Sequence, residues 1–139
     1  MKNTFRRVDT PSSPARARGD SGEQAAADHL RAKGLRILAR NWRNPADLRE
    51  ELDLICDDAG IIVFVEVKTR AATALVPGYH AVSPAKKRIL RRACLAWLRG
   101  CDPRPDHYRF DIVDVAMTRS NTVVDVFHYE CISLFQGRF

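Results

Sequence analysis

Apolar residues recur along this chain with two periods. From Ser21, the positions Ala25, Ala26 and Leu30 follow helical spacing until Gly34. Ser21 with Gln24 three residues on has the form of a capping box and predicts a helix starting at Asp20-Ser21. Leu35, Ile37 and Ala39 have the period-2 spacing of a strand, and the polar residues 44–49 read as a connection. Glu51 to Cys56 reads as a second strand, Asp57-Asp58-Ala59-Gly60 as a turn, and Ile61 to Thr69 as a third strand rich in β-branched residues. A loop containing Pro77-Gly78 follows. Ser83 then caps a helix with Pro84 at its first position. Ile89, Leu90, Ala93, Cys94, Ala96 and Trp97 carry that helix to Gly100. Tyr108 to Ala116 and Val123 to Tyr129 form a strand pair, and the last ten residues show no clear period. The order α-β-β-β-α-β-β predicts an α/β fold, a central mixed β-sheet flanked by helices.

Composition narrows this picture. The 139 residues are 45% hydrophobic and 29% charged, as in a globular domain. The longest apolar run, Ile61 to Val65, is far short of the ~18 residues that span a bilayer. Residues 1–19 lack the apolar core of a secretory signal and read as a flexible basic arm, leaving 20–139 as a single domain. The net charge is +6, and half of it lies in residues 1–20, so the body is only mildly basic. The four cysteines, at 56, 94, 101 and 131, match no zinc spacing. Cys56, Cys94 and Cys131 lie in apolar stretches and read as buried thiols of a reducing compartment, pointing to the cytoplasm.

The chemistry is concentrated in Glu51-Leu52-Asp53-Leu54-Ile55 and Phe64-Val65-Glu66-Val67-Lys68. Side chains alternate along a strand, so Glu66 and Lys68 share a face with Phe64. A loop from Asp57 to Gly60 would set residue 53 opposite 64 and residue 51 opposite 66. Asp53, Glu66 and Lys68 would then point one way with Glu51 beside them. Leu52, Leu54, Val63, Val65 and Val67 would form an apolar layer on the other side. Adjacent carboxylates desolvated beside apolar strands call for a counterion, and Mg²⁺ (or Mn²⁺) held by Asp53, Glu66 and the Val67 carbonyl would supply it. Such an ion polarises a phosphodiester and activates water, while Lys68 stabilises developing negative charge. Arg70, one step further on the same face, is placed to reach a phosphate. Lys86, Lys87 and Arg88 open a basic run on the second helix that reads as a phosphate contact.

The Asp53…Glu66-x-Lys68 arrangement resembles the PD-(D/E)xK site of restriction-endonuclease-like nucleases. More closely, the chain resembles the uncharacterised bacterial YraN-like family, which is similar to archaeal Holliday-junction resolvases. The resemblance rests on Gly22-Glu23, Ala26, Gly34, Asn41-Trp42, residues 51–55 and 64–70, Lys86, and Arg109-Phe110-Asp111. It covers about residues 19–116. It implies a restriction-endonuclease-like core, with Glu23 projecting from the first helix toward the metal, and a homodimer. The sequence departs from the family pattern in having Glu50, where Gly is common, and in Pro77-Gly78-Tyr79.

Two functions are compatible with these residues. One is a metal-dependent nuclease acting on DNA, on branched or damaged structures. The alternative is a nucleic-acid-binding or assembly module that keeps the fold without turnover. Clustered acids facing a polyanion favour the enzyme, since a pure binder has no use for them. Arg109 and Asp111 read as a structural pair. The four scattered histidines read as surface or core residues rather than ligands, and Trp42 and Trp97 as core residues rather than base-stacking platforms.

Overall fold

The computed structural model describes residues 14–73 and 82–135. Helix α1 (Pro14–Ala32) precedes a hairpin of β1 (Arg36–Asn44) and β2 (Asp47–Asp58), then β3 (Ile61–Ala71), helix α2 (Pro84–Arg99), β4 (Tyr108–Met117) and β5 (Val123–Tyr129). The five strands lie in sequence order in one sheet. Every neighbouring pair is antiparallel except β3 and β4, which are parallel because α2 carries the chain from the end of one to the start of the other. The expected α/β order and mixed sheet are therefore what the chain builds.

The two helices cover opposite faces. Ala26, Ala27 and Leu30 of α1 are fully buried with Leu54, Cys56, Val63, Val65, Val113 and Val115. Leu90, Ala93, Cys94 and Leu98 of α2 are fully buried in a second cluster with Leu52, Ile55, Phe64, Phe110 and Ile112. Each large side chain so buried contributes about 1.5–3 kcal/mol. Trp97 meets Phe64 edge-on at 5.7 Å. Trp42 and Trp97 are thus core residues, as read from the sequence. Leu134 and Phe135 close the same cluster from the C-terminal segment.

Several boundaries differ from those expected. Helix α1 starts at Pro14, not Asp20, so residues 14–19 are helical rather than part of an arm; residues 1–13 lie outside the described residues. Ser21 is consequently mid-helix and caps nothing. Gln24 donates instead to Asp28 Oδ1 (2.8 Å) and accepts from Arg40 (2.9 Å). The C-terminal end is as expected: Gly34 has φ +94°, and Leu35 N–H reaches back to the Leu30 carbonyl at 3.0 Å. Residues 44–49 are not a loose connection but a tight turn and the start of β2. Ser83 caps α2, its side chain accepting from the Lys86 N–H at 3.1 Å. Pro77-Gly78-Tyr79 and His80 lie outside the described residues.

The β2–β3 turn is shorter than expected. Only Ala59 and Gly60 form it, both with positive φ (50° and 95°), the twist that suits a two-residue hairpin. Asp57 and Asp58 pair in the ladder, and Asp57 accepts the Gly60 N–H at 2.9 Å. The register is thereby shifted by two residues: Leu54 faces Val65 and Ile55 faces Phe64. Of the thiols, Cys56 and Cys94 are buried, Cys101 is half-buried and Cys131 is exposed, contrary to the burial expected for Cys131.

Beneath the C-terminal end of α1 lies a buried polar chain. Asp111 is fully buried and accepts from Arg109 Nε (3.1 Å), the Cys131 N–H (3.0 Å) and His128 Nε2 (2.8 Å). Arg109 also reaches Asp58 at 3.0 Å. Lys33 Nζ lies 2.9 Å from His128 Nδ1. An ammonium can only donate, so Nδ1 carries the lone pair and Nε2–H points at Asp111. The Arg109–Asp111 pair is structural, as read, but His128 joins it and is core rather than scattered.

Candidate active site

The site forms where two ladders open at the same level. Pairing between β1 and β2 steps from Arg40↔Leu54 to Trp42↔Leu52, skipping Asn41, which has φ 50°. Pairing between β2 and β3 ends at Leu54↔Val65. Alternation breaks there too, since Leu52 belongs to the core under α2 and Leu54 to the core under α1. The apolar layer expected to hold both is therefore split. Asp53, between them, turns into the gap beside β3 and accepts the Val67 N–H at 2.8 Å. A strand residue's N–H and C=O point to the same side, so the Val67 carbonyl also faces this gap.

Glu66 lies within hydrogen-bonding reach of Asp53 and is buried, 6% exposed. Lys68 Nζ is 3.3 Å from its Oε1. The Asp53 carboxyl is raised from its usual range to about 8, first by burial, then by the Glu66 charge; the Glu23 charge adds to this, while the Val67 N–H opposes it. Glu23 thus reaches Asp53 electrostatically from α1. Gly22 makes that approach close: a Cβ there would fall well inside contact distance of Thr69 Oγ1 on β3. The register shift brings Asp53 alongside Glu66 rather than Phe64.

Other expected residues fall further out. Glu51 is not beside the acids; it pairs with Arg43 at 3.3 Å on the β1–β2 hairpin. Glu50 is buried and accepts from Asn44 at 2.7 Å. Arg70 donates from Nε to the fully buried Asp114 at 2.8 Å and lies 5.8 Å from the Phe127 ring centroid. Trp97 meets Phe64 edge-on, and Cys94, one turn earlier, senses the Glu66 charge. Helix α2 therefore runs antiparallel to β3, which directs Lys86 and Lys87 in its first turn toward the Lys68 end. Arg88 lies instead on a groove of about 220 Å³ shared with Asp47, Arg49, Glu50 and Arg92. Sequence reading passed over Asp114 and Phe127, because only the strand register aligns them with Lys68.

The donor set suits a hard divalent cation. Among the described residues no three His, Cys, Asp or Glu side chains are grouped to hold a metal. Two adjacent carboxylates and a carbonyl are nonetheless what Mg²⁺ uses when waters and phosphate oxygens complete its shell. Burial first, and repulsion by Glu66 second, raise the Asp53 carboxyl, and a bound cation would offset both. No described helix is long and apolar enough to cross a membrane.

Relatives share most of this chain. It is 50% identical over 99 residues to a UPF0102 protein of Oleidesulfovibrio alaskensis, covering 71% of this chain and 48% of the relative, so it spans about half that protein's length. It is 45% identical over 97 residues to a UPF0102 protein of Symbiobacterium thermophilum, covering 70% and 80%. A Mycolicibacterium vanbaalenii UPF0102 protein is 41% identical over 118 residues, covering 83% and 92%. A family model also matches residues 22–115, from the glycine that admits α1 to β3 through most of β4. Consistent with the YraN-like motifs in its sequence, the chain belongs to the uncharacterised protein family UPF0102.

Proposed function

We propose that this chain is a metal-dependent nuclease that hydrolyses DNA phosphodiesters. The observation that carries the reading is the convergence of the Asp53 and Glu66 carboxyls where the β2–β3 ladder opens, with Lys68 at 3.3 Å from Glu66. A purely structural ion pair needs one acid for one lysine. Here a second acid is held beside the first at the cost of a strongly raised carboxyl pKa. A carboxyl so perturbed by burial and a specific charged neighbour marks a functional site more often than a scaffold.

The residues divide the work. Asp53 and Glu66, with the Val67 carbonyl, would hold Mg²⁺ or Mn²⁺, which supplies Lewis acidity at phosphorus and an acidified water. The Val67 N–H fixes the Asp53 carboxylate, leaving one oxygen for the site. Lys68 is tethered by Glu66 and places its ammonium where negative charge builds on the phosphate. Glu23 adds negative charge from α1 that favours a bound cation, and Lys86 and Lys87 approach from α2 to contact phosphates.

Cleavage of linear, flapped and four-way DNA with Mg²⁺ or Mn²⁺, compared with Asp53→Ala, tests the reading. Wild type should cut at least one substrate and the variant none. Lys68→Ala should lower turnover while DNA affinity changes little, because its ammonium acts on the transition state. Mn²⁺ calorimetry should show a site that Glu66→Gln weakens. No metal-dependent cleavage of any substrate would leave a nucleic-acid-binding module instead.

A further inference from the structure

Lys68, Asp114 and Phe127 form one lateral row across β3, β4 and β5, by the pairings Lys68↔Asp114 and Asp114↔Phe127. Paired residues project from the same face, and the preceding Val126 packs into the core under α1, so Phe127 projects on the Lys68 side. Neighbouring strands lie about 4.8 Å apart, so the Phe127 Cα is about 10 Å from that of Lys68. That distance is about three stacked nucleotides at 3.4 Å each, and fewer in an extended strand.

Phe127 is 39% exposed, although it sits on the same sheet face as fully buried Phe110 and Ile112. Its ring is not loose, because the Arg70 guanidinium lies over it at 5.8 Å and is itself held by buried Asp114. The guanidinium backs one side of the ring and is itself largely buried, so the exposed surface of Phe127 is the one on which an unpaired base stacks. A paired base is stacked on both sides and cannot use it.

We infer that Phe127, backed by Arg70, is a platform for an unpaired nucleobase close to the phosphodiester at Lys68, and so selects strands with splayed bases. This rests on the nuclease reading for its purpose, but not for its test. A 12-nucleotide thymidine strand and an abasic strand of equal length and charge are titrated without divalent metal. Wild type binds the thymidine strand at least fivefold more tightly. Phe127→Leu abolishes that ratio with unchanged affinity for the abasic strand, and Phe127→Trp keeps it. Equal binding of both strands by wild type, no binding of either at low salt, or an equal loss on both strands in Phe127→Leu would each overturn the platform. Cleavage of the DNA panel is read separately. Cleavage without base preference removes the platform and leaves the nuclease; base preference without cleavage keeps the platform and removes the nuclease.

Discussion

Asp53 costs the metal-free fold stability. A carboxyl whose folded pKa is raised, here from 3.8 to about 8, binds its proton more tightly folded than unfolded. Its contribution is therefore most favourable at acid pH, declines as pH climbs between those values, and is flat above about 8. Asp53→Asn keeps an oxygen for the Val67 N–H, adds a donor toward Glu66 and removes the repulsion. At pH 8 without metal it should stabilise the protein by about 2 kcal/mol, a rise in Tm of roughly 6–10 °C. The gain should shrink toward pH 4; an unchanged or lower Tm at pH 8 would show that the two acids do not repel. Asp111 behaves oppositely. Burial opposes its charge, but His128, the Cys131 N–H and Arg109 outweigh burial and hold its carboxyl below the usual value. Its stabilisation is present above about pH 4 and is lost as pH falls through the lowered folded pKa. Asp111→Asn should cost about 3 kcal/mol at pH 7, because it removes the buried carboxylate of Arg109 and leaves it the partly exposed Asp58. In an acid titration the variant should lose less further stability than wild type.

Between elements, the contact that matters most is that of α1 with β3. In an exposed helix interior, replacing Gly by Ala gains about 1 kcal/mol. At Gly22 the new methyl meets Thr69 Oγ1, with Thr69 Cβ at 3.3 Å and Cγ2 at 3.4 Å, so turning Thr69 exchanges one crowded atom for another. Overpacking of this kind costs about 1–3 kcal/mol. Gly22→Ala should thus destabilise by about 1 kcal/mol net, lowering Tm by roughly 3–5 °C, and shift Glu23 from Asp53. Adding Thr69→Ala should recover most of the loss. A rise in Tm for Gly22→Ala alone would mean that α1 rides higher on the sheet. Ser21 and Gln24 show why the start of this helix was misread. A capping box is a four-residue signal, and the turns before it at 14–20 have no apolar face to announce them. At α2 the same reasoning succeeded because Ser83 and Pro84 coincide with the first turn of a helix carrying a strong apolar stripe.

For the whole molecule, the +6 charge should govern nucleic-acid binding. Affinity for duplex DNA should fall with salt on a log–log slope of about 0.9 per neutralised phosphate. Lys86→Ala and Arg88→Ala should each lower that slope by about 0.9 if each neutralises one phosphate; an unchanged slope removes that residue from the interface. The sequence by itself determined the element order, the second helix with its cap, and the residue types of the site, because each depends on neighbours along the chain. Period-2 parity survived the different turn length along β3 and from Leu54 to Asp58, since a shift of two residues leaves side chains on their own faces; Leu52, beyond the break at Asp53, changed face. What only the tertiary structure decided was register and partner choice. Whether Asp53 stands beside Phe64 or Glu66 depends on Ala59 tolerating φ 50°, and on the ladder stopping at Leu54. That Asp111 takes His128, and that Phe127 shares a row with Lys68, depends on β4 pairing with both β3 and β5. Those residues are 17 and 59 positions apart in the chain, and no local pattern carries information across such distances.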